Sequence, residues 1–127
     1  MMKKIFPLSF LILFSLALFP CYAQVIRQKM LFNNGWKFHK GDVNKAQAVS
    51  YKDASWRTLS LPHDWSIEGP FGKQWASATA YLPGGIGWYR KTFSLPESMK
   101  TKHVFVYFDG VYKNSEVWIN GHFLGKR

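Results

Sequence analysis

Cysteine is nearly absent: Cys21 is the only one in 127 residues. No disulfide can form within the chain, so stability has to come from a packed core. Acidic residues are also few, 7 against 17 Lys and Arg, which leaves a net charge of +10. Clustered cations on that scale would point to nucleic acid, anionic polymers or membrane surfaces. Lys37, Lys40, Lys45, Lys52, Lys73, Lys91, Lys100 and Lys102 are instead scattered, the pattern of a solvated surface. There is one long apolar run, Ile5–Phe19, broken only by Pro7, Ser9 and Ser15. It is shorter than the roughly 20 residues that a membrane span requires. Helical periodicity, internal repeats, heptads and low-complexity tracts are missing from the remainder. His39, His63, His103 and His122 lack metal-ligand spacing, and no glycine-rich loop carries the lysine of a phosphate cradle. Neither a metal nor a cofactor is therefore expected in this piece.

What is present begins with the N-terminus. Met1–Lys4 is short and positive, Ile5–Phe19 is apolar, and Cys21-Tyr22-Ala23 puts small residues where a signal peptidase reads. Residues 1–23 are expected to be a secretory signal cleaved after Ala23, leaving residues 24–127 periplasmic or extracellular without a membrane span. The alternative is a lipid-modified Cys21; Phe19 and Pro20 before it are bulkier than a lipoprotein signal prefers. Export also argues against a nucleic-acid partner.

The exported part alternates short strand-like runs with turn residues. Asn33-Asn34-Gly35 is a turn, and Trp36-Lys37-Phe38-His39 alternates apolar and polar as a strand does. Trp56–Leu61 reads as a strand stopped by Pro62, and Trp88–Leu95 places Tyr89, Phe93 and Leu95 on one face. His103–Asp109 is apolar on both faces, as a central strand would be. Ser115–Ile119 alternates Val117 and Ile119 against Glu116 and Trp118. Asn120-Gly121 and His122-Phe123-Leu124 then complete a hairpin signal, because both turn residues tolerate positive φ. Strands, hairpins and no helix predict an all-β sandwich or barrel.

Between these strands, residues 62–87 form a long irregular stretch with five glycines and the aromatics Trp65, Phe71, Trp75 and Tyr81. That is too aromatic for a disordered linker, so an ordered, packed loop is expected. Its opening is the most site-like piece of the chain. His63, Asp64 and Trp65 put an imidazole, a carboxylate and an indole at a strand end, with Glu68 close by. A carboxylate accepts hydrogen bonds from sugar hydroxyls, and an indole face packs on the C–H face of a pyranose. The competing reading is structural, with Asp64 capping a turn and His63 satisfying backbone groups. Arg90, in mid-strand, either pairs with a carboxylate or contacts the sugar.

Four blocks in order carry a resemblance. Asn34-Gly35-Trp36-Lys37-Phe38 comes first. Trp56-Arg57 with Leu61-Pro62-His63-Asp64-Trp65 is second, and Gly87-Trp88-Tyr89-Arg90-Lys91-Thr92-Phe93 third. Phe108-Asp109-Gly110-Val111 with Val117-Trp118-Ile119-Asn120-Gly121-His122-Phe123-Leu124-Gly125 is last. Together they resemble the N-terminal sugar-binding domain of glycoside hydrolase family 2, which includes β-galactosidases, β-glucuronidases and β-mannosidases. The Leu61–Phe71 stretch with Tyr81-Leu82-Pro83-Gly84-Gly85 is most similar to the β-galactosidase branch. The resemblance implies a jelly-roll-like (galactose-binding-domain-like) β-sandwich over residues 24–127, incomplete at its C-terminus. It also implies an immunoglobulin-like domain and a (β/α)8 barrel with two catalytic glutamates in the parent enzyme, none of them present here. Retaining hydrolysis needs two carboxylates about 5 Å apart, so no catalytic residue is expected in this piece.

The expectation is thus the front fragment of a secreted β-galactosidase-type hydrolase that meets carbohydrate through the full-length enzyme. The alternatives are a free-standing carbohydrate-binding module, and an exported β-rich protein that binds anionic polymer through its charge. The chain stops just after a hairpin begins, and a module acting alone should close its sheets; this favours the first reading.

Overall fold

The computed structural model describes residues 27–112 and 114–127. The leader expected at residues 1–23 lies outside them. The chain divides into Met1–Met30 and Leu31–Arg127, and the second unit holds every strand described here.

That unit is all-β, with three single turns of 3-10 helix in its loops. Gly35, at φ 73°, turns the chain into β1 (Trp36–Lys40). β1 is the centre of a three-stranded antiparallel sheet, flanked by β2 (Arg57–Leu59) and β3 (Gly87–Arg90). Phe38 stands opposite both Arg57 and Tyr89, Lys37 opposite Thr58 and Arg90, and His39 opposite Trp88. Because side chains alternate along a strand, this register sorts the sheet into two faces. One carries Trp36, Phe38, Arg57 and Tyr89; the other carries Lys37, His39, Thr58, Trp88 and Arg90.

Both faces are covered. On the first, the His63 ring packs against Phe38 at 4.9 Å between centroids, which brings the 62–86 loop down onto the sheet. On the second, Trp56 stacks on His39 at 5.2 Å, and Tyr51 packs on Trp56 at 5.4 Å. The buried apolar residues are few: Trp36, Phe38, Ala46 and Trp56 among those described. Large rings thus supply most of the core, each removing far more surface from water than an aliphatic side chain.

β4 (Glu116–Ile119) and β5 (His122–Lys126) form a hairpin. Asn120 and Gly121 both take positive φ, 50° and 80°, as the Asn-Gly signal requires. Stacking of Trp118 on Trp88, at 5.4 Å and 28°, ties the hairpin to β3. The register slips between Val117 and Trp118. The extra residue is Leu124 on β5, and along β4 the expected alternation places Trp118 on Trp88 and Phe123, opposite in direction to Val117 and Ile119.

Two expectations are corrected. The strand from Trp88 ends at Arg90, short of Leu95, because β1, its partner, has turned away by then. The stretch from His103 to Asp109 is not a strand. Phe105 is 85% exposed and Tyr107 74%. A strand that is apolar on both faces needs ladder partners and cover on both sides, and no strand among the described residues pairs with it.

Candidate functional site

β2 ends at Leu59, sooner than the expected Leu61, and the site-like loop starts at Pro62. Asp64 sits in extended conformation and its carboxylate accepts from Ser66 N at 2.9 Å and from Ser66 Oγ at 2.7 Å. This is an N-cap, satisfying a donor that the helix start would leave unpaired. It initiates a single 3-10 turn, Trp65–Glu68, which swings Glu68 back over His63.

There Glu68 meets the sheet. Arg57 on β2 donates from Nη2 to both Glu68 oxygens, at 2.8 and 2.9 Å. The same nitrogen lies 2.7 Å from His63 Nε2, and His63 Nδ1 lies 2.8 Å from Tyr89 Oη. His63 Nε2 also lies 3.1 Å from Glu68 Oε1, so the ring is held among Arg57, Glu68 and Tyr89 whichever nitrogen carries its proton. His63 thereby bridges the flanking strands β2 and β3 across Phe38 of the central strand.

The electrostatics follow from these contacts. The hydrogen bond from Arg57, and after it the one with His63, holds the Glu68 carboxyl below its ordinary 4.5. Partial burial raises the Tyr89 phenol above its ordinary 10.0, and the charges of Asp64 and Glu68 add to the effect. Glu68 is thus kept ionised and tied, while Tyr89 is kept as a neutral phenol. A glycosidase acid needs the opposite, a carboxyl whose proton is retained near neutral pH. The Asp64 oxygen nearest the turn is committed to the cap. These residues form a clamp that fixes the loop on the sheet, with no acid and nucleophile pair among them.

Trp65 lies against the sheet too. A Cβ on Gly87 would come 2.8 Å from Trp65 Nε1, and the Lys40 ammonium sits 4.7 Å from the Trp65 ring. Arg90 is on the other face. Its Nε donates to Asp53 at 3.0 Å, and its Nη1 donates to the carbonyls of Ala46 and Ala48, so it pairs with a carboxylate and pins the 41–55 loop. Of the five residues that sequence nominated, the fold brings His63 and Glu68 together, sets Asp64 beside them as a cap, packs Trp65 on Gly87, and sends Arg90 elsewhere. Sequence reasoning missed Arg57 and Tyr89 as members of the cluster. The only signal for them was strand alternation, and that becomes informative once the β1 register is known. An open cleft of about 410 Å³ runs beside the clamp, between Lys40, Trp56, Arg57 and Glu68.

No cluster of three His, Cys, Asp or Glu side chains among the described residues could hold a metal ion. No helix among them is long and apolar enough to cross a membrane.

No family model matches the chain. Individual proteins do. The beta-galactosidase BoGH2A of Bacteroides ovatus is 50% identical over 103 residues, covering 80% of this chain and 12% of that enzyme. A solved glycosyl hydrolase family 2 member from Bacteroides cellulosilyticus superposes with a TM-score of 0.68 at 37% identity, over 76% of this chain and 14% of that one. The chain belongs to glycoside hydrolase family 2. A further family 2 relative is named a putative beta-glucuronidase of Formosa agariphila, 48% identical over 98 residues, which are 76% of this chain and 10% of that protein. The family 2 likeness also fixes the architecture: the antiparallel sheets of this chain are those of the family's N-terminal jelly-roll-like β-sandwich. The chain spans about one tenth of the length of the curated relatives it matches.

Proposed function

We propose that this chain is the front of an exported family 2 glycosidase, and that its own part is to frame sugar binding without performing hydrolysis. The observation that carries this reading is the 50% identity to a β-galactosidase of which the chain spans only 12%. Four features support it. The clamp residues are tuned away from acid catalysis, Glu68 being held ionised and Tyr89 neutral. Val104, Phe105, Val106 and Phe108 and the hairpin residues Phe123 and Leu124 expose apolar surface of the kind that packs against further protein. The leader-like residues 1–23 support export to the periplasm or beyond, Cys21 lipidation being the alternative route. The Leu61–Phe71 resemblance supports β-galactosides as substrates ahead of β-glucuronides. Hydrolysis belongs to a barrel carrying two glutamates outside these residues.

The test has two arms. The full-length protein carrying this chain is expected to release nitrophenol from the β-galactoside faster than from the β-glucuronide, and the 127-residue chain alone is expected to release none. Turnover by the short chain, abolished by Asp64→Asn, would overturn the division of labour. A full-length preference for the glucuronide would overturn the substrate.

A further inference from the structure

The clamp holds the root of the 62–86 loop, but it leaves the tip unexplained. Four observations converge there. Phe71 and Tyr81 pack edge to face, at 5.5 Å and 63°, and yet remain 69% and 40% exposed. The backbone beneath them is tightly built: Gly72 N donates to Tyr81 O at 3.0 Å, Tyr81 N to Ala76 O at 3.1 Å, and Thr79 Oγ1 to Ala76 O at 2.9 Å. Two successive non-glycine residues, Ala80 and Tyr81, are held at φ 51° and 58°. The left-handed region costs an L-residue roughly 1–2 kcal/mol, and such strain persists only where surrounding contacts over-determine it, often at binding sites. Within the same turn, Trp75 Nε1 is buried with no hydrogen-bond acceptor among the described residues. A loop that needed only to connect β2 to β3 would carry none of these costs.

The geometry points to the Phe71–Tyr81 tip as a platform that stacks on a pyranoside ring of the substrate. The choice of ligand rests on the glycosidase reading above. An edge-to-face pair leaves a ring face open, and the C–H face of a pyranose is its apolar counterpart. The two rings stand in a polar rim of exposed Lys73, Gln74 and Ser77. The Gln74 side-chain amide lies against Gly72, and with the Tyr81 hydroxyl it supplies the polar groups that orient sugar hydroxyls.

The experiment uses the full-length protein carrying this chain and the Phe71→Ala/Tyr81→Ala double variant. Both side chains are exposed, so a wild-type thermal melt should accompany the change. Hydrolysis of nitrophenyl β-galactoside is expected to show a rise of about tenfold in KM in the double variant, with Tyr81→Phe retaining most of the affinity. Saturation-transfer NMR with methyl β-D-galactopyranoside reads the tip whether or not hydrolysis occurs. Transfer from aromatic protons to the sugar, lost in the double variant, is the expected result. Hydrolysis with an unchanged KM and unchanged transfer overturns the platform and leaves the glycosidase reading standing. Loss of the NMR transfer in the variant, with no hydrolysis by either protein, supports the platform and removes the β-galactosidase reading. No transfer in the wild type overturns the platform.

Discussion

His63 Nδ1 lies 2.8 Å from the Tyr89 hydroxyl, and that contact joins the start of a long loop to the strand that follows the loop's end. Tyr89→Phe keeps the ring against Phe38 but leaves His63 Nδ1 without its hydrogen-bond partner. The expected loss is about 1–2 kcal/mol, read as a lower midpoint in urea with an unchanged slope. The phenol itself should titrate above 10.0 in a spectrophotometric titration, since burial raises it. The folded state then holds its proton more tightly than the unfolded chain. Its stabilising contribution is complete below the unfolded value and is lost as pH rises through the folded one.

Glu68 gives the opposite pH dependence. Its carboxyl is lowered by Arg57 and then by His63. The folded state binds that proton more weakly than the unfolded chain, so the contribution is present above 4.5 and is lost as pH falls through the folded value. Glu68→Gln should flatten the acid limb of a stability-against-pH curve. A carbon-13 NMR titration of wild-type Glu68 should give a midpoint below 4.5; a midpoint above it would contradict the clamp.

Gly87 lets the loop approach the sheet closely. An added Cβ would meet Trp65 Nε1 at 2.8 Å and Phe38 Cε2 at 3.2 Å, both on rings that cannot fold aside. Gly87→Ala is expected to cost about 1–3 kcal/mol through overpacking. The effect should appear in a thermal melt as an earlier transition, together with altered Trp65 fluorescence.

Arg90 anchors the other face. Arg90→Lys keeps the charge but cannot reproduce one guanidinium bridging Asp53 and two backbone carbonyls. A loss of about 1–3 kcal/mol is expected, with faster amide exchange in the 46–53 segment. Exchange rates equal to wild type would show that this segment is held by Trp56 and Tyr51 alone.

The legible parts of the fold were those decided over a few residues. Trp36-Lys37-Phe38-His39 alternates, and it is the central strand. Asn120-Gly121 must take positive φ, and it is the hairpin turn. Arg90 in a strand needs a carboxylate, and Asp53 supplies it. The His103–Asp109 stretch is not a strand because an apolar run specifies what a strand would bury, while partners decide whether a strand exists.

At the site, sequence alone determined the chemistry on offer: an imidazole, two carboxylates and an indole on a loop after Pro62, and the family to which the pattern belongs. The tertiary structure decided their use. Arg57 and Tyr89 are 32 positions apart in sequence, and they flank Phe38 only because β2 and β3 pair with opposite edges of β1. That register places a donor-only guanidinium on one side of His63 and a phenol on the other, which makes the loop's polar residues a fastening and leaves the rings at its tip exposed. Local pattern fixes which groups a segment carries. Only strand pairing across the chain fixes which groups meet, because hydrogen bonds and ring contacts act over a few ångströms.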